Sequence, residues 1–308
     1  MVLSVVFQLI TMVILMSFGY ILRKRQYLSE AGVKGLSAVL TKVAVPALLI
    51  TLMQREFSYS LLYEFGIACL ATIIVSAIIT IIFFVMGKLL KLDFPQLGLF
   101  SGCGAYSNFA FMGQPLILAM FGEAGMPYCV AVIFMGNVYF FTVCSVLFTY
   151  KCGNPRSKVK MAKDAILNFV TISAAIGFLL FVFSISLPSP ILNALQAASN
   201  TTTALSMIII GSLLATAHIK EVLKDKLIYA FCFLCLVVTP IITKLVLSPF
   251  LDGMMLSVIV ILMATPAAAA LPAFVEGYGN DGQKASEIVF FSTLLSVFTL
   301  PIVALFLC

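Results

Sequence analysis

Charged residues are scarce in this chain. Only 10% of its 308 residues are Asp, Glu, Lys or Arg, whereas 62% are hydrophobic and the mean hydropathy is +1.17. Such a composition excludes an ordinary soluble globular domain. Because a membrane-spanning helix takes up about 20 residues, a chain of this length with short connections accommodates roughly ten spans and no separate soluble domain. The composition therefore indicates an all-α polytopic membrane protein.

Side chains suited to catalysis are equally scarce. The chain has one histidine, His218, and its twelve acidic residues all lie in polar links or near the ends of apolar runs. An intramembrane enzyme would need a cluster such as paired acids or a His-rich metal site, and the sequence contains neither. Of its eight cysteines, the only close pair is Cys232 and Cys235, with no His or third Cys nearby to complete a metal site. We therefore expect no enzyme activity, no metal and no cofactor.

Apolar runs separated by polar or Gly/Pro-containing links predict ten helical spans. The first run is too long for a signal-peptide core and has no basic segment before it, so we interpret it as a membrane helix. The longest link, 151–163, has the composition of a basic cytoplasmic linker and divides the chain into a first five-helix repeat, 1–150, and a second, 164–308. The ten runs are 2–22, 31–53, 61–87, 97–121, 126–150, 164–187, 190–216, 227–248, 253–276 and 285–307.

Basic residues are distributed unevenly between the links. Fifteen of the eighteen Lys and Arg residues lie in the links after runs 1, 3, 5, 7 and 9, while Arg55 lies in the opposite set and Lys42 and Lys244 lie within runs. Cytoplasmic loops carry the excess positive charge in membrane proteins, so both termini are expected outside. With five spans in each half, the second half would be inserted upside down relative to the first. This is the inverted repeat of many secondary transporters.

Prolines interrupt two runs that occupy equivalent places in the two halves. Pro115 lies in the fourth run, and Pro266 and Pro272 lie in the ninth. Proline removes a hydrogen bond inside a helix but suits the first turn of a new one, so we expect helix breaks at these positions. The new half-helices would begin near the bilayer centre, with their N-terminal dipoles directed toward one place that suits an anion. For either proline alone, an ordinary kink is the alternative.

Polar residues in and opposite these runs are the candidate substrate contacts. The segment 101–122 carries Asn108 and Gln114 at membrane depth, where an amide facing lipid would lack hydrogen-bond partners. Thr265 precedes the first proline of the ninth run, and Asn200 lies in a dense polar stretch of the seventh. Taken singly, each such residue is more often interhelical glue than a ligand. As a set, Asn108, Gln114, Asn200 and Thr265 are expected to bind substrate.

Lys42 lies near the middle of the second run, where an unpaired ammonium group is costly. It could neutralise an anionic substrate, or its alkyl stem could carry the charge toward the cytoplasmic face. The second interpretation, or an internal partner, is favoured.

A nine-residue pattern in the fourth run is shared with a known family. The sequence Asn108-Phe-Ala-Phe-Met-Gly-Gln-Pro-Leu116, followed by Phe121-Gly122, resembles the Asn-x4-Gly-x-Pro-Leu signature of the auxin efflux carrier family. The resemblance extends over the whole chain. The other similar segments are Val45-Pro46-Ala-Leu-Leu49, Gly211-Ser-Leu-Leu-Ala215, the prolines and Tyr278-Gly279 of the ninth run, Ser292-Thr-Leu-Leu-Ser296 and Leu300-Pro301.

The resemblance implies ten helices in two inverted five-helix repeats, with broken helices 4 and 9 crossing near their prolines. It also implies a transport part that moves past a scaffold, and organic anions as substrates: auxin in plants, malate or malonate in bacteria. The short link 151–163 favours the bacterial type. Two departures bear on the substrate. Residues 204–207 lack the family's frequent Pro-Leu-Ala-Leu step, and Ala270 stands where bacterial relatives often have Asn.

Taken together, these features favour a secondary carrier of small organic anions in the cell membrane, working by alternating access. The expected partners are the anion, whether a mono- or dicarboxylate or an auxin-like acid, and the lipid bilayer, with a homodimer as a candidate assembly and no nucleic acid. A proton would have to use a peripheral acid such as Glu64 or Glu276, His218, or the substrate itself, and a sodium site of carbonyls, Asn and Thr is the other coupling left open. The alternatives are a sodium-coupled bile-acid-type carrier and a membrane sensor.

Overall fold

Helices account for almost all of the structure. The computed structural model describes residues 2–149, 167, 169–215 and 225–307. Within them there is no strand, only one isolated β-bridge between Ser107 and Ala267. The prediction of an all-α polytopic membrane protein is thereby confirmed, since six helical stretches are long and apolar enough to cross a membrane. They are Glu30–Leu52, Tyr59–Leu89, Phe109–Thr149, Ser189–Leu214, Lys226–Leu247 and Gly282–Phe306, accompanied by the shorter apolar helices Phe169–Val182 and Gly253–Met263.

The first half contains eight α-helices, three π-helical turns and one 3-10 turn. The turns are Leu40–Ala44 between α2 and α3, Phe109–Gly113 before α6, Gly122–Gly125 before α7 and Phe140–Cys144 before α8. The helices are α1 (Val2–Lys24), α2 (Glu30–Val39), α3 (Val45–Leu52), α4 (Tyr59–Leu89), α5 (Phe94–Gly104), α6 (Gln114–Phe121), α7 (Met126–Tyr139) and α8 (Ser145–Thr149).

The described part of the second half contains eight further α-helices and one π-helical turn, Leu234–Val238. The predicted linker 151–163 and the start of the sixth run lie outside the described residues. The helices are α9 (Phe169–Val182), α10 (Ser189–Asn200), α11 (Thr202–Leu214), α12 (Lys226–Phe233), α13 (Thr239–Leu247), α14 (Gly253–Met263), α15 (Leu271–Gly277) and α16 (Gly282–Phe306).

Polar residues in the links determine where several helices begin. The carboxylates of Asp93, Asp225 and Asp281 accept hydrogen bonds from backbone N–H groups in the first turns of α5, α12 and α16. Such caps satisfy donors that the helix itself leaves free. Between α6 and α7 the chain turns at Gly122, whose φ of +60° is a conformation that favours glycine. The long stretch from Phe109 to Thr149 is therefore bent at Gly122 into two helical arms.

Three of the four π-helical turns among the described residues lie directly before an X-Pro step. Pro46, Pro115 and Pro240 each stand at the second position after such a turn. Proline has no N–H to donate to the carbonyl oxygen four residues back, and its ring crowds that carbonyl. The wider π turn accommodates the ring without ending the helix. The carbonyl oxygen of Phe111, left free in this way, accepts a hydrogen bond from Ser206 Oγ at 3.4 Å. The structure thus places Pro115 inside a continuing helix.

Two helices are unwound in the middle. The first unwound stretch, residues 105–108, lies between α5 and the π turn that precedes α6; the second, residues 264–270, lies between α14 and α15. Pro266 lies within the second stretch, and Pro272 lies in the first turn of α15. The first stretch contains no proline, and it ends well before Pro115.

The two unwound stretches cross and pair with each other through their backbones. The N–H of Asn108 donates to the carbonyl oxygen of Pro266 at 2.8 Å, and the N–H of Ala268 donates to that of Tyr106 at 3.3 Å. Unwinding in an apolar medium leaves backbone groups without partners, which costs several kcal/mol for each group. Each stretch supplies partners that the other lacks, so the crossing holds two regions far apart in sequence at one place.

Glycine allows two helices of different halves to pack at backbone distance. A Cβ atom on Gly19 of α1 would overlap the carbonyl oxygen of Ile208 in α11, and one on Gly211 of α11 would overlap that of Met16 in α1. Small residues permit this close approach between membrane helices. The helices α1 and α11 therefore approach to backbone contact at Gly19 and Gly211.

Among the described residues, one ion pair lies at the corner that follows the unwound helix of the first half, and two lie at the corresponding corner of the second. Near α6, Arg55 Nη2 bonds Glu123 through the carboxylate at 3.0 Å and through the backbone oxygen at 2.6 Å. Near α15, Lys284 Nζ bonds Asp225 at 2.6 Å and Glu287 at 2.5 Å. Glu287 is 8% exposed, although its position near a run end predicts a peripheral acid. Pairing with Lys284 makes this burial tolerable, because a buried carboxylate needs a partner.

Candidate functional site

A cavity of about 460 Å³ lies beside the crossing. Its wall is mostly aromatic and aliphatic, with a few polar groups, and both halves of the chain contribute to it. These are general properties of small-molecule sites, which are concave, largely apolar and specified by few polar atoms. The lining residues are 106–111 of the first unwound stretch and its π turn, Ala268, Ala270, Ala273, Phe274, Gly277 and Tyr278 of the second stretch and α15, Thr41, Lys42 and Val45, Asn137 and Phe141, and Leu167, Phe169 and Val170.

Asn108 is the lining residue with an unused polar group. Its backbone is fully engaged, because the N–H bonds Pro266 and the carbonyl oxygen accepts from Met112 and Gly113 at 3.3 and 3.0 Å. Asn108 lines the cavity but is only 3% exposed, and its side-chain Nδ2 is buried and has no acceptor among the described residues. The crossing therefore holds in place a buried NH2 donor that a ligand with acceptor oxygens could satisfy.

The other amide in the wall is already satisfied. Asn137 Oδ1 accepts a hydrogen bond from Tyr106 Oη at 3.0 Å, and its Nδ2 donates to the carbonyl oxygen of Ile133 at 2.7 Å. The Tyr106 ring packs against Phe140 with 4.4 Å between the ring centroids. Asn137 and Tyr106 thus stiffen the wall beside Asn108.

One cation reaches the cavity. Lys42 belongs to the π turn between α2 and α3, and its Nζ lies 5.9 Å from the centroid of the Phe169 ring. Both residues line the cavity, and Lys42 is the only charged side chain among the lining residues that the structure describes. No described carboxylate lies within ion-pair distance of Lys42. The described part of the wall therefore carries one positive charge and no negative one.

The four predicted contacts have different surroundings, and Asn108 alone lines the cavity. Gln114 is 5% exposed, and its Oε1 has no donor among the described residues. Thr265 is fully buried, with Oγ1 donating to the Leu262 carbonyl oxygen at 2.6 Å. Asn200 is exposed at the last residue of α10. Gln114 and Thr265 thus lie behind the wall, and the structure does not bring Asn200 to it.

Sequence reasoning missed most of the wall. Tyr106, Phe109 and Phe274 lie in apolar runs, where aromatic residues are ordinary core or lipid-facing groups and give no separate signal. Lys42 was visible as a charge at membrane depth, but the sequence could not show that a ring from the second half stands beside it. In both cases the crossing of the two unwound stretches determines which residues of each run line the same cavity.

Broken helices that cross beside a cavity, within an all-helical multi-pass membrane protein, are the construction of a membrane transporter. The chain belongs to the family described as membrane transport protein, whose model matches residues 4–159 and 154–304. The resemblance to the auxin efflux carriers is thereby confirmed. Membership of a transporter family also agrees with the expectation that the chain is not an enzyme.

Two archaeal relatives are similar to this chain. An uncharacterized transporter of Methanothermobacter thermautotrophicus is 24% identical over 300 residues, which cover 95% of each chain. An uncharacterized transporter of Methanocaldococcus jannaschii is 26% identical over 211 residues, covering 67% of this chain and 68% of the relative.

Proposed function

We propose that this protein is a secondary carrier of small organic anions whose substrate binds in the cavity beside the crossing. The observation that carries the proposal is Asn108, a residue of the cavity wall whose buried side-chain donor Nδ2 has no acceptor among the described residues. Leaving such a donor unsatisfied costs about 1 to 3 kcal/mol. A carboxylate offers only acceptor oxygens and removes that cost when it binds.

The charge of the wall favours an anion over a cation or a neutral solute. Lys42 contributes a positive charge, and no Asp or Glu is found among the described lining residues. The aromatic side chains leave room for an apolar body attached to the anionic group. Monocarboxylates, dicarboxylates and auxin-like acids are therefore the substrates to test first.

The proposed architecture is a ten-span inverted repeat in the cell membrane with both termini outside. It is supported by helices at the ten apolar runs, by the two unwound helices at equivalent places and by the basic links. In this orientation, Phe169 at the start of the sixth span and Tyr278 at the end of the ninth lie toward the cytoplasm. Both line the cavity. Substrate would then reach this cavity from the cytoplasm, and alternating access would move the crossing as one paired unit.

Transport by reconstituted protein tests the proposal. Labelled mono- and dicarboxylates are offered to proteoliposomes under imposed proton and sodium gradients in turn. Stimulation by a proton gradient would identify proton coupling, and stimulation by sodium would favour the bile-acid type of carrier. Binding without uptake would indicate a sensor and overturn the proposal.

The variant Asn108→Ala is expected to lower uptake of the best carboxylate roughly 10- to 100-fold, since a hydrogen bond to a charged group contributes about 1.5 to 3 kcal/mol. Asn193→Ala is the matched control, because Asn193 is an exposed amide of α10 that does not line the cavity. It should transport at the wild-type rate. Wild-type uptake by Asn108→Ala, at equal protein per vesicle, would remove Asn108 from the site.

A further inference from the structure

We propose that Lys42 is the residue that selects for negative charge in the cavity, an inference that rests on the proposed carrier function. Its ammonium group would bind the anionic group of the substrate directly, while Asn108 supplies a neutral donor. Residues of three separate segments meet here: Lys42 in the π turn of the second span, Phe169 at the start of α9 and Asn108 at the crossing.

The position of Lys42 follows from the local sequence. Pro46 cannot donate an N–H to the Lys42 carbonyl oxygen, and the chain responds with the π turn Leu40–Ala44, in which the N–H of Val45 bonds the carbonyl oxygen of Leu40. A π turn contains more residues than an α turn and so changes the direction in which neighbouring side chains face. Such single π turns occur frequently at functional sites.

Among the residues that the structure describes, none supplies a counter-charge to Lys42. A cation within a membrane span is costly unless it is paired or faces water, and no described carboxylate pairs with Lys42. The Phe169 ring, with its centroid 5.9 Å from Nζ, makes only the weak cation–π contact of an exposed pair. An arriving carboxylate would interact more strongly than the ring. Because ammonium has three donors, it can bind the anion while it stays near Phe169.

Snorkelling to the lipid headgroups is the competing role, and it makes a different prediction. A snorkelling lysine would affect stability in the bilayer but not the preference for charged over neutral ligands. The position of Nζ, 5.9 Å from the centroid of the Phe169 ring, favours the binding role, because Phe169 is itself a residue of the cavity wall.

The experiment compares carboxylates with their neutral amides. Purified protein is titrated with malonate and malonamide, and with indole-3-acetate and indole-3-acetamide, by a thermal-shift and a scintillation-proximity assay. For the better-bound carboxylate, Lys42→Gln should raise the Kd roughly tenfold or more, the effect of losing a charged hydrogen bond. The Kd of the matching amide should change less than about twofold, and Lys42→Arg should keep the wild-type preference.

Lys244→Gln is the matched control, because Lys244 lies in α13 and does not line the cavity. It should leave both dissociation constants unchanged. An unchanged carboxylate-to-amide ratio in Lys42→Gln would overturn the role of Lys42 while leaving the carrier proposal intact. If the wild-type protein bound and transported none of these carboxylates, the carrier proposal itself would fail, and the role of Lys42 with it.

Discussion

The two unwound stretches share a backbone arrangement but differ in side chains. The first, 105–108, carries Tyr106, Ser107 and Asn108, whereas the second places four consecutive alanines, 267–270, after Pro266. Both pair through backbone hydrogen bonds, so pairing needs no particular side chain. The alanines leave the space that the cavity occupies, while the first stretch supplies the polar contact. In the proposed carrier, the first stretch would therefore supply the polar group that binds the substrate, and the second would supply the space for it.

The two corners that follow the unwound helices also differ, in how deeply their ion pairs are buried. Glu123 at the first corner is 73% exposed, so its pair with Arg55 is a surface contact that contributes about 0 to 1 kcal/mol. At the second corner, Lys284 bonds two carboxylates, and the side chains of Lys284 and Glu287 are 26% and 10% exposed. The ion pairs at the second corner are therefore better buried than the one at the first.

Removal of the shared cation should produce the largest effect. We expect Lys284→Met to lower the free energy of unfolding by about 2 to 3 kcal/mol, because two close carboxylates lose their common partner. Arg55→Met, the equivalent change at the first corner, should cost no more than about 1 kcal/mol. Unfolding of both variants in detergent, followed by circular dichroism, measures the difference. Equal losses would end the distinction between the corners.

The next test concerns the hydrogen bond between Ser292 and Ala267, the first residue of the alanine stretch. The buried N–H of Ala267 donates to Ser292 Oγ at 3.3 Å, so Ser292→Ala would leave that donor unsatisfied at a cost of about 1 to 2 kcal/mol. Ser296 is buried on the same helix but acts only as a donor, to the Thr293 carbonyl oxygen and Met112 Sδ. Ser296→Ala should therefore cost less. Melting temperatures of the two variants provide the comparison, and a larger loss for Ser296→Ala would contradict it.

A polar residue in the second stretch should make the two sides more alike. Ala270 lines the cavity and is partly exposed, so Ala270→Asn adds an amide to a wall that has room for it. One additional hydrogen bond to a carboxylate, offset by ordering of the side chain, should improve binding by about 1 kcal/mol, or roughly fivefold in Kd. Ala273→Asn, also in the wall but one turn further into α15, is the control for polarity alone. Weaker binding by Ala270→Asn would show that the second stretch must stay small.

The pH dependence of stability gives the smallest expected effect. Burial alone would raise the pKa of Asp225, but hydrogen bonds from Lys284 and the Leu227 N–H outweigh it, and the pKa lies below its ordinary value of 3.8. Since folding lowers this pKa, the carboxylate stabilises the fold above about pH 4, and the contribution is lost as the pH falls through the folded pKa. Asp225→Asn should have a shallower loss of stability below pH 4. An unchanged acid slope would show that other carboxylates cause it.

A part of the site could be predicted from the sequence only where a particular residue type marks it. Pro266 predicts the second unwound stretch, because proline has no N–H to continue the hydrogen bonds of a helix. The first stretch contains no proline, and Pro115 lies beyond it after a π turn. The sequence therefore identified which helix is interrupted but not the residues at which it unwinds. Asn108 was predicted from an amide at membrane depth. Asn200 carries the same signal, yet it is exposed at the end of α10.

Hydrophobic runs, prolines and the family's signature residues are local features of the chain. They were sufficient to identify a multi-pass helical membrane protein of a transporter family. The tertiary structure chooses which residues share one cavity, and it brings Asn108, Lys42 and Phe169 together. That choice depends on helix rotation, on the π turns that redirect side chains and on the backbone pairing of 105–108 with 264–270. These contacts join residues far apart in sequence, so no local pattern contains them.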